Sequence, residues 1–131
     1  MNSVSIVTVN YNQPQATIEL LISLNKHATN NVEIIVVDNA SKVNHELEFK
    51  SINPSLIFIR SEVNLGFAGG NNLGINLAKG DFIFLLNNDT EVPDGCVETM
   101  IDEFEANNKI GLLSPLILYY DDKNIIQYAG Y

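Results

Sequence analysis

Apolar residues along this chain come in short runs that alternate with stretches of helical periodicity. "VSIVTVN" (Val4 to Asn10) is β-branched and apolar, and it stops at the turn cluster "NYNQP". "QATIELLISLNKH" follows with Ile18, Leu21 and Ile22 at helical spacing, Pro14 near its start and Lys26 and His27 near its end. "VEIIVVDN" (Val32 to Asn39) reads as a second strand, and "KVNHELEFKSI" as a short helix with Leu47 inward. "LIFIR" (Leu56 to Arg60) reads as a third strand. "AGGNNLGINLAKG" predicts a helix from about Gly70, with Leu73 and Leu77 four apart, Lys79 in its last turn and Gly80 as terminator. "FIFLL" reads as a fourth strand. In "DGCVETMIDEFEAN", Val97, Met100, Ile101 and Phe104 form the clearest amphipathic stripe of the chain. "IGLLSPLILYY" and "NIIQYAG", split by the turn "DDKN", read as further strands.

Alternating β and α segments with near-continuously apolar strands imply an α/β fold, a mostly parallel sheet with helices on both faces. Right-handed crossovers place the carboxyl ends of the strands on one edge, where ligands of such sheets bind. The residues just past each strand are therefore the functional candidates: Asn10 to Asn12, Asp38 to Ser41, Ser61 to Asn64 and Asn87 to Glu91. These are also the Asn- and Asp-rich points of the sequence, so the two patterns agree.

The 131 residues fit one domain, and 46% apolar with 18% charged residues is a globular composition. No apolar run approaches the roughly 20 residues of a membrane span, and the N-terminus lacks the pattern of a signal peptide. A single cysteine, Cys96, allows no internal disulfide and fits a reducing compartment, so the cytoplasm is expected. Seven Lys and Arg against 16 Asp and Glu give a net charge of -9 without a basic cluster, which argues against nucleic acid as a partner. A phosphorylated small molecule bound here would need backbone amides and a metal ion for charge compensation. The last residues, "QYAGY", show no disordered tail, and we expect a longer protein beyond them.

Each polar strand end carries two readings. Asp38 in "VVDNAS" can accept hydrogen bonds from a nucleobase imide or ribose hydroxyls, or it can cap a turn, the commoner role for Asp. Tyr11 can stack on a base or cover the sheet rim. "NLGFAGGNNLG" opens a helix whose amides could face phosphates. It matches neither Walker A nor G-x-G-x-x-G, and Gly70 and Gly74 can equally serve close helix packing. "LLNNDT" sets an acid between amide side chains at the mouth of the sheet, which suits a hard divalent cation, or else starts the helix after Pro93 and Asp94. His27 and His45 read as surface residues, and Cys96 as packing.

Taken together and in order, "SIVTVNYNQ", "EIIVVDNAS", "NLGFAGGNNLGINLAKGDFIFLLNNDTEV" and "GLLSPLIL" resemble the family 2 glycosyltransferases, in particular their rhamnosyltransferase-like branch. The resemblance spans most of the chain and implies a Rossmann-like GT-A fold, a nucleotide-diphosphosugar as sugar donor and an inverting transfer to a saccharide or lipid-linked acceptor in cell-surface polysaccharide synthesis. It implies that Asn10 and Tyr11 lie beside the base and that Asp38 binds the base or ribose. Asn64, Gly69, Gly70, Asn71 and Asn88 would line the donor pocket. Asn87 to Asp89 falls on the family's D-x-D position, where Asp89 would hold Mg²⁺ or Mn²⁺ on the diphosphate. Asn87 replaces the first Asp of that motif and can offer only a neutral oxygen, leaving Asp89 as the main support for a metal.

In that family the catalytic base belongs to the second half of the domain. Asp94, Asp102 and Asp121 match no such motif, so the expectation is a truncated domain: residues 1–131 as the donor-binding portion, the acceptor portion absent, and little activity alone. A surface exposed by truncation would support a homodimer. The full-length protein would sit in the cytoplasm, peripherally at the inner face of the membrane. Two other readings compete. One is a non-catalytic nucleotide-sugar-binding or structural module. The other is a nucleotidyltransferase, whose expected glycine- and arginine-rich loop after the first strand is here "NYNQPQ".

Overall fold

The computed structural model describes residues 2–26 and 31–130, so the expectation for His27 lies outside the described residues. The elements are β1 (Val4–Asn10), α1 (Pro14–Lys26), β2 (Val32–Asn39), α2 (Glu46–Ile52), β3 (Ile57–Ser61), α3 (Gly66–Ile75), β4 (Phe82–Leu85), α4 (Cys96–Ala106), β5 (Ile117–Leu118) and β6 (Ile126–Tyr128). β1 to β4 form one parallel sheet in the order β3-β2-β1-β4, and β5 and β6 form a separate antiparallel pair.

Strand alternation sorts the core into two layers. Val4, Ile6, Ile34 and Val36 face α1, α2 and α4 through Leu20, Leu21, Leu24, Phe49 and Ile101. Val7, Ile35 and Val37 face Leu73, Leu77 and Ala78 of the α3 segment. Helices therefore cover both faces, as the apolar strands imply. The cover is incomplete at β4. Ile83 and Leu85 pair with Ser5 and Val7 on the α3 side, yet remain nearly half exposed. β4 is an edge strand of the described sheet, buried on one face only.

Several expectations change. Leu47 is not inward: it is 87% exposed, while Phe49 and, less fully, Ile52 supply the buried side of α2. Two residues on, a side chain sits on the opposite flank of a helix, and the larger aromatic surface takes the core position. In α1 the buried residues are Thr17, Leu20, Leu21, Ser23 and Leu24, and Ile22 points out. α3 starts at Gly66, earlier than Gly70, and ends at Ile75, so Lys79 and Gly80 lie beyond its last turn. The Lys79 N–H instead donates to Glu33 Oε1 at 2.6 Å. Gly80 is required by close approach: a Cβ there would stand 2.6 Å from the backbone nitrogen of Ser5. Gly74 has the same cause on the other side, because its Cβ would meet Val7 Cγ1 at 2.4 Å. The late apolar segments form only the short β5–β6 ladder, with Leu112, Leu116, Tyr120 and Ile126 exposed. No helix among the described residues is long and apolar enough to cross a membrane.

Candidate functional site

The carboxyl ends of β1, β2 and β3 stand in register, with Asn10 beside Asp38 and Asp38 beside Arg60. All three share a face because paired residues of a parallel sheet project to the same side. That face is the α1 side, and there the polar ends form one network. Asn10 Nδ2 donates to Asp38 Oδ1 at 2.9 Å and to Ser41 Oγ at 3.1 Å. Thr17 of α1 donates to Asn10 Oδ1 at 3.0 Å, and Asn88 Nδ2, beyond β4, donates to Thr17 Oγ1 at 3.1 Å. Asp38, Asn10 and Thr17 are at most 1% exposed.

Asp38 is the electrostatic centre. One oxygen is taken by Asn10. The other, Oδ2, has no hydrogen bond, and Arg60 Nη1 lies 3.2 Å from it, close enough for an ion pair but not aligned as a hydrogen bond. Arg60 Nη2 is fixed by the carbonyl of Ser41 at 2.5 Å. A buried carboxylate with an oxygen lacking a hydrogen bond is a costly arrangement, and such groups concentrate at ligand sites.

The loops after β1 and β2 lock each other. Asn12 and Ala40 both have left-handed backbones, with φ of 54° and 65°. The Asn12 N–H donates to Ser41 Oγ at 2.8 Å, and Asn12 Oδ1 accepts from the Lys42 N–H at 2.9 Å. Left-handed conformations in residues other than glycine are held against a local cost, and here the reciprocal bonds hold them. Tyr11, the residue before Asn12, is half exposed, available to a flat ligand.

On the α3 side, Asn39 does the equivalent work. Its Nδ2 donates to Asn64 Oδ1 at 3.0 Å and to the Gly66 carbonyl at 3.1 Å, while its Oδ1 accepts from the Leu65 N–H at 2.9 Å. Asn64 is thereby tied to the β2 end. Gly70 faces Val9, where a Cβ would meet Cγ1 at 3.0 Å, and Asn71 Nδ2 bonds back to the Phe67 carbonyl within α3. Gly69 packs over Leu65. The packing reading of Gly70 and Gly74 is thus what their geometry displays.

Beyond β4, the Leu86 N–H continues the ladder to the Val7 carbonyl at 2.9 Å, and Thr90 Oγ1 closes a turn on the Asn87 carbonyl at 2.6 Å. Asn87 and Asp89 are exposed, with Asn88 buried between them. Asp89 lines an open cleft of about 400 Å³ with Ala16, Glu19, Ile22, Thr90 and Tyr120. No group of three His, Cys, Asp or Glu gathers among the described residues. One exposed carboxylate with a neighbouring amide fits a hydrated Mg²⁺ or Mn²⁺ that takes its other ligands from water and phosphate, and does not fit an all-protein cage. Cys96 is packed against the α1-side core, and burial, with Glu98 nearby, pushes its thiol above the ordinary range. It is a neutral packing residue.

The α1-side network thus joins Asn10 to Asp38 directly and to Asn88 through Thr17, while Asn64 is tied to Asn39 on the opposite face. Tyr11, Asn87 and Asp89 lie on the exposed rim, and Gly69, Gly70 and Asn71 lie along α3. Sequence reasoning missed Thr17 and Arg60. Arg60 could have been found by aligning strand ends, and Thr17 as a polar residue on the inward stripe of α1.

Comparison with known proteins agrees with this architecture. The profile of Glycosyl transferase family 2 matches residues 5–130. An uncharacterized glycosyltransferase of Haemophilus influenzae is 34% identical over 110 residues, covering 83% of this chain and 37% of the relative. A poly-beta-1,6-N-acetyl-D-glucosamine synthase of Staphylococcus epidermidis is 29% identical over 117 residues, 87% of this chain and 28% of the relative. The chain therefore spans well under half the length of these two relatives. Among solved structures, S. aureus TarS 1-349 in complex with UDP-GlcNAc superposes with a TM-score of 0.72 at 22% identity, over 81% of this chain and 32% of TarS, and shares its fold.

Proposed function

The chain belongs to glycosyl transferase family 2, and from that premise we propose that its strand-end network is the sugar-donor site of an inverting glycosyltransferase that uses a uridine diphosphosugar. The fold is GT-A, a parallel sheet with helices on both faces. The observation that carries the reading is Asp38, a buried carboxylate at the carboxyl end of a central strand with one oxygen bound by Asn10 and the other without a hydrogen bond. Imide and ribose hydroxyl groups are donors that such an oxygen accepts once Arg60 gives way.

In this reading Asp38 and Asn10 fix the base, with Tyr11 against its plane. Asn64 and the start of α3, including Gly69, Gly70 and Asn71, border the donor pocket. Asn87 and Asp89 would hold a divalent cation, and Asn88 sets their turn. The cation would supply Lewis-acid neutralisation of the charge that develops on the departing diphosphate. The acceptor hydroxyl attacks the anomeric carbon opposite the leaving group, which inverts that carbon. Its proton goes to a carboxylate base, a role we assign to none of these 131 residues. The named polymer synthase and the UDP-GlcNAc in TarS support a hexosamine-type sugar and surface polysaccharide as the product class.

Calorimetric titration with UDP, dTDP and GDP, with and without Mn²⁺, tests this. Metal-enhanced binding of UDP, weakened at least tenfold in Asp38→Asn and stripped of its metal enhancement in Asp89→Ala, is the expected result. Indifference of both variants would overturn the assignment.

A further inference from the structure

The hydrogen bonds between Asp38 and Asn88 run in one direction. A threonine hydroxyl has one proton to give and lone pairs to receive. Thr17 Oγ1 lies 3.0 Å from Asn10 Oδ1 and 3.3 Å from the Gln13 carbonyl, and the shorter contact takes the proton. The amide of Asn10 must then turn both N–H groups the other way, to Asp38 Oδ1 and Ser41 Oγ. On the other side, the lone pair of Thr17 receives Asn88 Nδ2, which also lies 3.5 Å from the Gln13 carbonyl. The N–H end of Asn88 is thereby turned inward, and its Oδ1 takes no partner among the described residues. The residues so joined come from β1, β2, α1 and the turn after β4.

We propose that Thr17 is a positioning residue that couples the base-binding end of the site to the Asn87–Asp89 turn, fixing Asn88 so that only its carbonyl oxygen is offered to a ligand. This deepens the reading above and rests on it. Asp38, an acceptor only, sets the sense of Asn10, and the helix-borne hydroxyl of Thr17, 71 residues from Asn88, carries it on to Asn88. Asn88 then cannot donate to a phosphate oxygen. It can accept from a sugar or ribose hydroxyl or present a neutral oxygen to a cation. Without the hydroxyl, Asn88 keeps only the 3.5 Å contact to the Gln13 carbonyl, and the turn carrying Asp89 loses its side-chain link to the strand-end network.

The test uses UDP titrated into the whole chain with and without Mn²⁺, so that the ratio of the two affinities measures how well the turn serves the cation. Thr17→Val keeps the shape and removes the hydroxyl; it should cut the metal enhancement at least tenfold. Thr17→Ser, which restores the hydroxyl, should stay within threefold of the wild type. A change confined to folding would move the melting temperature and the active fraction but not that ratio. Asn88→Ala breaks the same link from the rim, and combined with Thr17→Val it should lose no more than either alone. Wild-type metal enhancement in Thr17→Val overturns the coupling and leaves the donor-site reading standing. If Thr17→Val does not melt cooperatively, wild-type enhancement in Asn88→Ala overturns the coupling instead. Absence of UDP binding by the wild type with or without Mn²⁺ overturns the donor-site reading and the coupling with it.

Discussion

Thr8 shows the difference between a polar residue the fold uses and one it tolerates. It lies on β1 two positions before Asn10, fully buried, and its hydroxyl has no hydrogen-bond partner. Asn10, one pleat further on, is as deeply buried and has all its amide groups bonded. An unsatisfied buried hydroxyl costs on the order of 1 kcal/mol against an isosteric methyl. Thr8→Val is therefore expected to raise stability by about 1 kcal/mol, or about 4 °C in melting temperature for a domain of this size. Thermal unfolding followed by circular dichroism would check it, and a fall in melting temperature would show that the hydroxyl is satisfied in solution. At this scale the sequence was half legible. Asn10, Asp38 and Asn88 could be picked out as candidates because they end buried runs on the edge where ligands of parallel sheets bind, although capping a turn is the commoner role for such residues. Arg60 and Thr17 were missed, because finding them takes the alignment of strand ends and the docking of α1, neither of which is local.

Elements were legible in proportion to how much periodic surface they bury. β1 and β2 are central strands covered on both faces, so their apolar runs announced them directly. α2 has seven residues, under two turns, and that is too short for a pattern to average out one misleading leucine. The true stripe is Phe49 with Ile52, three apart, and Leu47 sits alone on the far side. Phe49→Ala should accordingly cost about 3–5 kcal/mol, whereas Leu47→Ala should change stability by less than about 0.5 kcal/mol. Chemical denaturation of the two variants separates them, and comparable losses would return Leu47 to the core. α3 misled for another reason. Its contact face sets Gly70 and Gly74 against Val9 and Val7 beside Leu73, so much of the helix approaches the sheet through missing side chains. A hydrophobic pattern cannot register a contact of that kind. The first turn of α3, from Gly66, carries the exposed Phe67 and reads as loop by the same measure.

Over the whole molecule, charge sets how the site meets its ligand. The chain carries a net charge of -9, and Arg60, the cation within the strand-end network, is already paired with Asp38. A nucleoside diphosphate is itself an anion, so the long-range field of the protein opposes its approach. That field reaches about 30 Å at 0.01 M salt and about 8 Å at physiological ionic strength. A basic binding surface loses affinity as salt rises, because salt screens an attraction. Here the sign reverses for the metal-free ligand: raising KCl from about 10 mM to about 150 mM should leave UDP affinity without Mn²⁺ unchanged or stronger. With Mn²⁺ present the dependence should run the other way, since the same salt weakens attraction between the cation and the acidic protein around Asp89. Titrations at the two ionic strengths decide the matter. A steep loss of metal-free affinity with salt would mean that a local cation, Arg60 foremost, holds the ligand directly, and that Asp38 serves to hold Arg60 instead of the base.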